Sequence, residues 1–176
     1  GRLFVDSTGD GWIGYFAGAR TMYGREAGKE FGEEWIAPKE ADRLTMSGTL
    51  TTGLSKRTDR EQPYETPVWA RILPAGFDRK IPGLGRPWWL EAPGRIDDLE
   101  DPEAARDHLI RICFAYWGYL RNEWPEGPAR GVSKYAFTPP SIFNGRREGM
   151  RIVGDYVLTA NDALEGRMFP DRISYG

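Results

Sequence analysis

The clearest hydrophobic pattern in the chain covers residues 101–124 and predicts a long amphipathic helix. Asp101 is a good N-cap, and Pro102 suits the first helical position. Apolar side chains then recur mostly three and four residues apart, so one face of the helix is apolar. Those side chains are Leu109, Cys113, Tyr116, Trp117, Leu120 and Trp124. Because Pro125 ends the pattern, we expect a helix at about 101–124 that organises a core of its own.

Shorter patterns predict strands elsewhere. Residues 3–5, 68–73 and 151–158 are apolar, β-branched or aromatic runs, and residues 44–52 alternate apolar residues with Thr and Ser. Each of these four stretches predicts a strand. Loops are predicted over the polar or proline-rich stretches 56–67, 74–95 and 125–145.

Two short helical turns complete the predicted elements. A weak helical pattern covers residues 26–31. A second turn is predicted over residues 163–165, capped by Asn161 or Asp162 and ended by Gly166.

The first 20 residues predict a strand, a tight glycine turn and a short helix, which is half of a parallel α/β unit. Glycines allow a ligand to approach the backbone, and helix amides attract phosphate. A carboxylate in the turn also accepts hydrogen bonds from sugar hydroxyls. These features suit a nucleotide cofactor, but they also fit an ordinary turn whose Asp caps the helix. The turn residues are Thr8, Gly9, Asp10 and Gly11.

Composition and charge narrow the function classes. The 176 residues are 40% hydrophobic and 28% charged, as in globular proteins, and no apolar run is long enough to span a membrane. The 24 basic and 26 acidic residues give a net charge of -2, which argues against a general nucleic-acid binder. Cys113 and His108 are the only residues of their types, which excludes an internal disulfide and a Cys/His zinc site.

Two further groups of residues are candidates for binding. Arg147, Glu148 and Arg151 lead into the predicted strand at 151–158, where arginines are able to clamp an anionic substrate or cofactor. The same residues also fit a solvated loop with surface ion pairs. The neighbouring Trp88 and Trp89 suit a sugar platform, although paired tryptophans more often belong to a core.

Three separated blocks carry a more specific signal. Residues 6–11 read Asp-Ser-Thr-Gly-Asp-Gly and are followed by a small-residue helix and by Gly-Arg-Glu at 24–26. Residues 117–122 begin with Trp and end with Asn at the end of the long helix. Arg-Glu at 147–148 precedes Gly-Asp-Tyr-Val-Leu-Thr at 154–159. In this order and spacing, the blocks resemble a bacterial family of FAD-dependent oxidoreductases.

The resemblance implies a non-covalent FAD, a small organic substrate and an α/β fold that is mixed α+β in the middle. Residues 1–25 would belong to a split, Rossmann-like FAD-binding domain, 26–148 to a substrate or cap region, and 149–176 to a return toward the flavin. The turn residues, Thr8, Gly9, Asp10 and Gly11, would line the FAD. The weaker candidates for the flavin or substrate face are Arg147, Glu148 and Arg151.

The sequence departs from the family pattern in places. Ser7 replaces Ala, Arg121 replaces Lys, and Gly149 and Met150 replace Ser and Arg, so the 147–151 loop lacks two of the family's side chains. The dinucleotide fingerprint Gly-x-Gly-x-x-Gly is not in the chain. We therefore interpret the chain as an internal fragment of a flavoenzyme, inactive alone.

The sequence leaves the compartment open between cytoplasm and periplasm, and it does not give the oligomeric state. The alternative from another functional class is a carbohydrate-binding or interaction module that uses Trp88 and Trp89.

Overall fold

The computed structural model describes residues 1–46, 48–50, 54–77, 96–147 and 149–172. Two compact units divide the chain. The split unit contains Gly1–Thr45 and Glu148–Gly176, and the helical unit contains Met46–Arg147. Residues Trp88, Trp89 and Glu148 lie outside the described residues, as does most of the predicted loop at 74–95.

The long helix of the helical unit confirms the prediction at 101–124. Helix α3 covers Pro102–Asn122. The Asp101 carboxylate accepts a hydrogen bond from the Ala104 amide at 3.0 Å, as an N-cap does, and Pro102 occupies the first turn. At the other end the amides of Glu123 and Trp124 both donate to the Tyr119 carbonyl at 2.9 Å, which closes the last turn.

The apolar face of α3 forms the core of the helical unit. Full burial of a large apolar side chain contributes about 1.5–3 kcal/mol to stability, so this cluster is the main stabilising element of the unit. Cys113 is a buried free thiol whose pKa burial raises to about 12, so it is inert at neutral pH. Among the described residues, the largest side chains that are almost completely buried are Leu50, Leu109, Cys113, Tyr119 and Val132.

A short antiparallel ladder covers part of this core, and one of its strands and half of the other lie in the loops predicted at 125–145 and 56–67. Strand β2, Leu54–Arg57, pairs with β3, Tyr135–Phe137. The Phe137 ring stacks on Trp117 with a centroid distance of 5.7 Å and meets Phe114 edge-on at 4.7 Å. The aromatic surface of α3 therefore holds a strand within a segment whose prolines predict loop.

The predicted strand at 68–73 is wrong, because Val68–Ala70 is a 3-10 helix. This turn packs on α3 through Trp69 and Ala70, whereas Val68 is 77% exposed. Trp69 lies against Phe114 with ring centroids 4.9 Å apart, and Ala70 is fully buried. Among the described residues of 44–52, one position pairs: Thr49 forms an isolated antiparallel bridge with Gly145.

The split unit joins two segments that are far apart in sequence. Strand β1, Thr21–Tyr23, pairs antiparallel with β4, Met150–Ile152, and the Val153 amide continues the pairing by donating to the Arg20 carbonyl at 2.9 Å. Pairing with β1 stops at Val153, so the predicted strand at 151–158 is too long. The short helices of this unit are α1, Trp12–Phe16, α2, Gly28–Phe31, and α4, Ala160–Leu164.

The predicted strand at 3–5 is not formed in the described part of the chain. Leu3, Phe4 and Val5 are 91%, 82% and 83% exposed and take part in no ladder there. A strand needs a partner along at least one edge. Apolar composition alone does not supply one, so residues 1–20 do not form the expected half of a parallel unit with the described residues, whereas its short helix is present as α1.

Helix α4 begins at Ala160, so its N-cap lies two residues before Asn161 and three before Asp162, the two caps that the sequence predicts. Thr159 is the N-cap, and its hydroxyl accepts from the Asp162 amide at 3.2 Å. The Asp162 carboxylate accepts in return from the Thr159 amide at 3.0 Å, which makes a capping box. Gly166 ends the helical turn as predicted, with a φ of 60°.

We predict that Gly118→Ala destabilises the helical unit although alanine favours helix. A Cβ at this position of α3 would collide with the Thr66 hydroxyl. We expect a loss of about 1–3 kcal/mol, as for other overpacked cores, measured by urea unfolding.

Thr66→Ala in the same chain removes the colliding oxygen and provides the control. The double variant should recover most of the lost stability. Equal losses with and without Thr66→Ala would show that this contact does not limit the position.

Candidate functional site

The turn ahead of α1 is built around the carboxylate of Asp6. One oxygen accepts from the Thr8 amide at 3.0 Å and from the Thr8 hydroxyl at 2.7 Å, and the other accepts from the Gly14 amide at 2.9 Å. These bonds lower the pKa of Asp6, with the Gly14 amide as the largest cause and the Thr8 hydroxyl next. The Thr8 hydroxyl in turn accepts from the Trp12 amide at 2.9 Å and so satisfies the first amide of α1.

Glycines in and after the turn face two different surroundings. Gly9 and Gly11 have φ values of 89° and 69°, a region that glycine adopts without steric cost. A Cβ on Gly11 would lie 2.9 Å from Cγ1 of Ile152, and one on Gly14 would collide with the same side chain. A Cβ on Gly9 would meet no atom within 4 Å. Gly11 and Gly14 therefore allow close packing on β4, whereas the Gly9 backbone borders open space.

The other two turn residues are placed differently from Gly9. Asp10 is 3% exposed and already has an interaction partner, so its carboxylate belongs to the interior of the unit. Asp10 is not the residue that bonds the first amide of α1, because the Trp12 amide donates to the Thr8 hydroxyl. Thr8 itself is exposed, but its hydroxyl is fixed between Asp6 and Trp12.

The arginine candidates lie in different local settings. Arg151, on β4, donates to the Gly24 carbonyl at 2.8 Å and forms a close ion pair with Glu26. Its charge is thus compensated within the split unit. Arg147 is exposed and has an interaction partner, and Glu148 lies outside the described residues.

The sequence blocks at the two ends of the chain meet in the split unit. Arg151 contacts the Gly-Arg-Glu block at 24–26, and Ile152 packs on Gly11 and Gly14 at the start of α1. Arg25 extends the contacts through a bidentate ion pair with Asp42. Motifs separated by more than a hundred residues therefore form one structural unit.

A second polar network follows β4. The Tyr156 hydroxyl donates to the Asp162 carboxylate at 2.8 Å, and Arg167 donates to both groups at 2.9 and 3.0 Å. The pKa of Asp162 is lowered to about 2, first by the Thr159 amide and then by the Tyr156 hydroxyl. The Arg167 guanidinium also lies over the rings of Tyr156 and Phe169, each 5.3 Å from the ring centroid.

Comparison with protein families shows which family the chain belongs to. The family model described as FAD dependent oxidoreductase matches residues 1–176, the whole chain. The chain belongs to this family. Comparisons with curated proteins and with solved structures gave no match. The family match gives no support to the carbohydrate-binding alternative.

Membership in the family assigns both cofactor and activity. The protein is an FAD-dependent oxidoreductase and a flavoprotein, and its family has a Rossmann-like FAD-binding fold. The open Gly9 backbone fits a bound dinucleotide, because a ligand is able to approach it without meeting a side chain. In the described ranges, no group of three or more His, Cys, Asp or Glu residues is arranged to hold a metal ion. The described helices include none with the length and apolarity of a membrane span.

Sequence reasoning missed Asp6, the residue that organises the turn. A weak signal is present in the sequence, since the side chain of an Asp ahead of a glycine turn often accepts a hydrogen bond from the backbone amide two residues on. The Thr159 and Asp162 pair was also recognisable, because a Thr followed three residues later by an acid is a capping box. Glu26, the partner of Arg151, had no local signal, since the two are brought together by strand pairing.

We predict that Asp162→Asn makes the thermal stability of the split unit less dependent on pH between pH 4 and 2. Because the pKa of Asp162 is about 2 in the folded protein and 3.8 ordinarily, its carboxylate stabilises the fold above about pH 4. That contribution is lost as the pH falls toward 2. Asp162→Asn should lower the thermal midpoint at pH 7 and reduce its decrease between pH 4 and 2.

Asp155→Asn is the matched control, because Asp155 is exposed in the same segment and outside the network. It should leave the pH profile unchanged. An identical profile for Asp162→Asn and the parent protein would contradict the assigned role of Asp162.

Proposed function

We propose that the protein transfers electrons between an organic substrate and FAD, and that the turn at residues 8–11 is part of the FAD site: Gly9 contacts the cofactor, and Thr8, Asp10 and Gly11 hold the turn in place. The observation that carries this proposal is the open backbone of Gly9 in a turn whose other groups are fixed by internal bonds. When bound, FAD supplies the redox chemistry through its isoalloxazine ring, and the protein supplies position and electrostatics.

Each turn residue has a distinct task in this proposal. Gly9 presents its peptide groups to the cofactor, because its surroundings are open and its φ of 89° is fixed by the turn. Thr8 holds the turn to α1 through the Trp12 amide. Asp10 and Gly11 support the turn from inside, since Asp10 is buried and Gly11 packs on Ile152.

We also propose a role for each segment of the chain. Residues 1–25 and 149–176 would serve the FAD-binding domain, and 26–148 the substrate or cap region. The pairing of β1 with β4 supports the first part, because it joins the two flanking segments. The contacts of the chain group residues 26–45 with these flanking segments, and the helical unit begins at Met46.

We predict that Gly9→Ala weakens FAD retention, and Gly18→Ala provides a closely matched control. Both glycines have a positive φ, 89° and 84°, and a methyl group added at either would meet no atom within 4 Å. Alanine therefore introduces similar backbone strain at both sites, on the order of 1 kcal/mol. Only the methyl group at position 9 would project toward the proposed cofactor.

The measurement is the flavin-to-protein absorbance ratio after gel filtration, in the intact flavoenzyme, with the thermal midpoint recorded in parallel. Gly9→Ala should release FAD, whereas Gly18→Ala should retain it at a similar midpoint. Equal flavin content in the two variants would remove Gly9 from the contact surface.

The arginine candidates are proposed to act on the flavin or on the substrate. Arg147 is exposed, and we propose that Arg147, with Glu148, faces the reaction site, where a cation stabilises a reduced anionic flavin or an anionic substrate. Arg151 would act indirectly, through its bonds to Gly24 and Glu26, by holding β4 against the start of the unit.

We predict that Arg147→Glu lowers the flavin reduction potential by roughly tens of millivolts or raises the KM of an anionic substrate. Arg111→Glu is the control, because it makes the same charge change at an exposed position of α3. If both variants leave the potential and the KM unchanged, the segment is a solvated loop with surface ion pairs.

A further inference from the structure

The helical unit contains a cleft that the sequence motifs do not explain. Its volume is about 340 Å³, within the range of small-molecule sites. One wall is the carboxyl-terminal half of α3, which contributes Ala115 and Glu123. The facing wall includes the 3-10 turn at Val68–Ala70 and the residues after it.

The cleft exists because small residues occupy the facing surfaces. Gly118 allows Thr66 to approach the α3 backbone closely, which fixes the distance between the two walls. Ala115, one turn earlier on α3, and Ala70 are both buried, and their methyl groups leave space where larger side chains would fill it. Together with Leu73 they give the cleft an apolar floor.

The charges around the cleft do not balance. Arg71 is engaged by its neighbours: its guanidinium pairs with Glu65 at 2.9 Å and donates to the Thr66 carbonyl at 3.1 Å. The Glu123 carboxylate is exposed, and within the described residues it has neither a hydrogen bond nor an ion pair. After the Arg71–Glu65 pair is set aside, the lining retains one uncompensated negative charge.

The position of the cleft at the end of α3 also favours a positively charged ligand. Glu123 is the C-cap of α3, so the cleft lies at the negative end of a helix of 21 residues. Cations are favoured at such an end. The carboxylate and the helix dipole therefore select for a positive charge, and the apolar floor selects for a hydrocarbon group attached to it.

We propose that this cleft binds a small organic ammonium ion, with its hydrocarbon part against Leu73 and over the buried Ala70 and Ala115, and its ammonium group toward Glu123. This site is separate from the proposed FAD contact at Gly9, because all of its residues belong to the helical unit. Its occupation is therefore testable whether or not the turn residues bind FAD.

The experiment is calorimetric titration of the full chain with three probes of equal length: n-butylammonium, butan-1-ol and butyrate. We expect saturable binding of n-butylammonium that weakens as salt is added, with butan-1-ol weaker and butyrate unbound. No saturation by about 10 mM n-butylammonium, or tighter binding of butyrate, would overturn the proposal.

Two variants then test whether the Glu123 carboxylate contributes to binding of the ammonium ion. Glu123→Gln removes the proposed carboxylate and should weaken n-butylammonium binding roughly three- to tenfold, the range for a partly exposed charged hydrogen bond. Glu165→Gln is the matched control, because Glu165 is likewise an exposed C-cap, of α4 in the split unit. It should leave the affinity unchanged, and an equal loss in both variants would contradict the site.

A measurement on the unmodified chain makes the result independent of variant folding. In methyl NMR spectra, n-butylammonium should shift the resonances of Ala70 and Ala115 and leave that of Ala163, in α4, in place. Uniform small shifts, or shifts confined to other methyl groups, would show that the amine binds elsewhere.

Discussion

The antiparallel pairing of Thr21–Tyr23 with Met150–Ile152 is the contact on which the split unit depends. It aligns Arg151 with the Gly24 carbonyl and Glu26, and it places Ile152 against the two glycines at the start of α1. Closing a long loop costs entropy, although this cost rises only slowly with loop length. Three residue pairs, one ion pair and one packing contact therefore act together to keep two distant segments of sequence in register.

Contacts beyond the strand pair extend this arrangement. The Glu33 carboxylate accepts from the Ala160 amide at 2.5 Å, and the Gly32 carbonyl accepts from the Asn161 side chain at 2.9 Å. Trp35 donates to the same Asn161 side chain at 3.2 Å. Helices α2 and α4 are too short to be stable alone, so their conformation depends on these bonds to one another.

The sequence predicted best where structure depends on neighbours along the chain. Helix α3 has a cap, a proline and an apolar stripe within its own span, so its bounds were predicted to within two residues. Strands require a partner, and the residues of one strand do not show which other segment of the chain will pair with it. The run at 68–73 has strand-like composition, yet it forms a 3-10 turn whose Trp69 contacts Phe114 of α3.

The same distinction applies to the candidate site. The turn at residues 8–11 was recognisable from its glycines, and Asp6 had a weak signal in its place ahead of that turn. The difference between Gly9, which borders open space, and Gly11, which touches Ile152, depends on a strand from the other end of the sequence. Similarly, the compensation of Arg151 by Glu26 follows from strand register, which no single motif contains.

The division into units has a consequence for the order of folding during synthesis. All residues of the helical unit leave the ribosome between the two segments of the split unit. Because α3 and its core are complete before Met150 is made, the helical unit is able to fold first, as domains commonly do on the ribosome. Strand β1 meanwhile exposes an unpaired edge, and a nascent chain stalled at this stage would be open to pairing with a foreign strand.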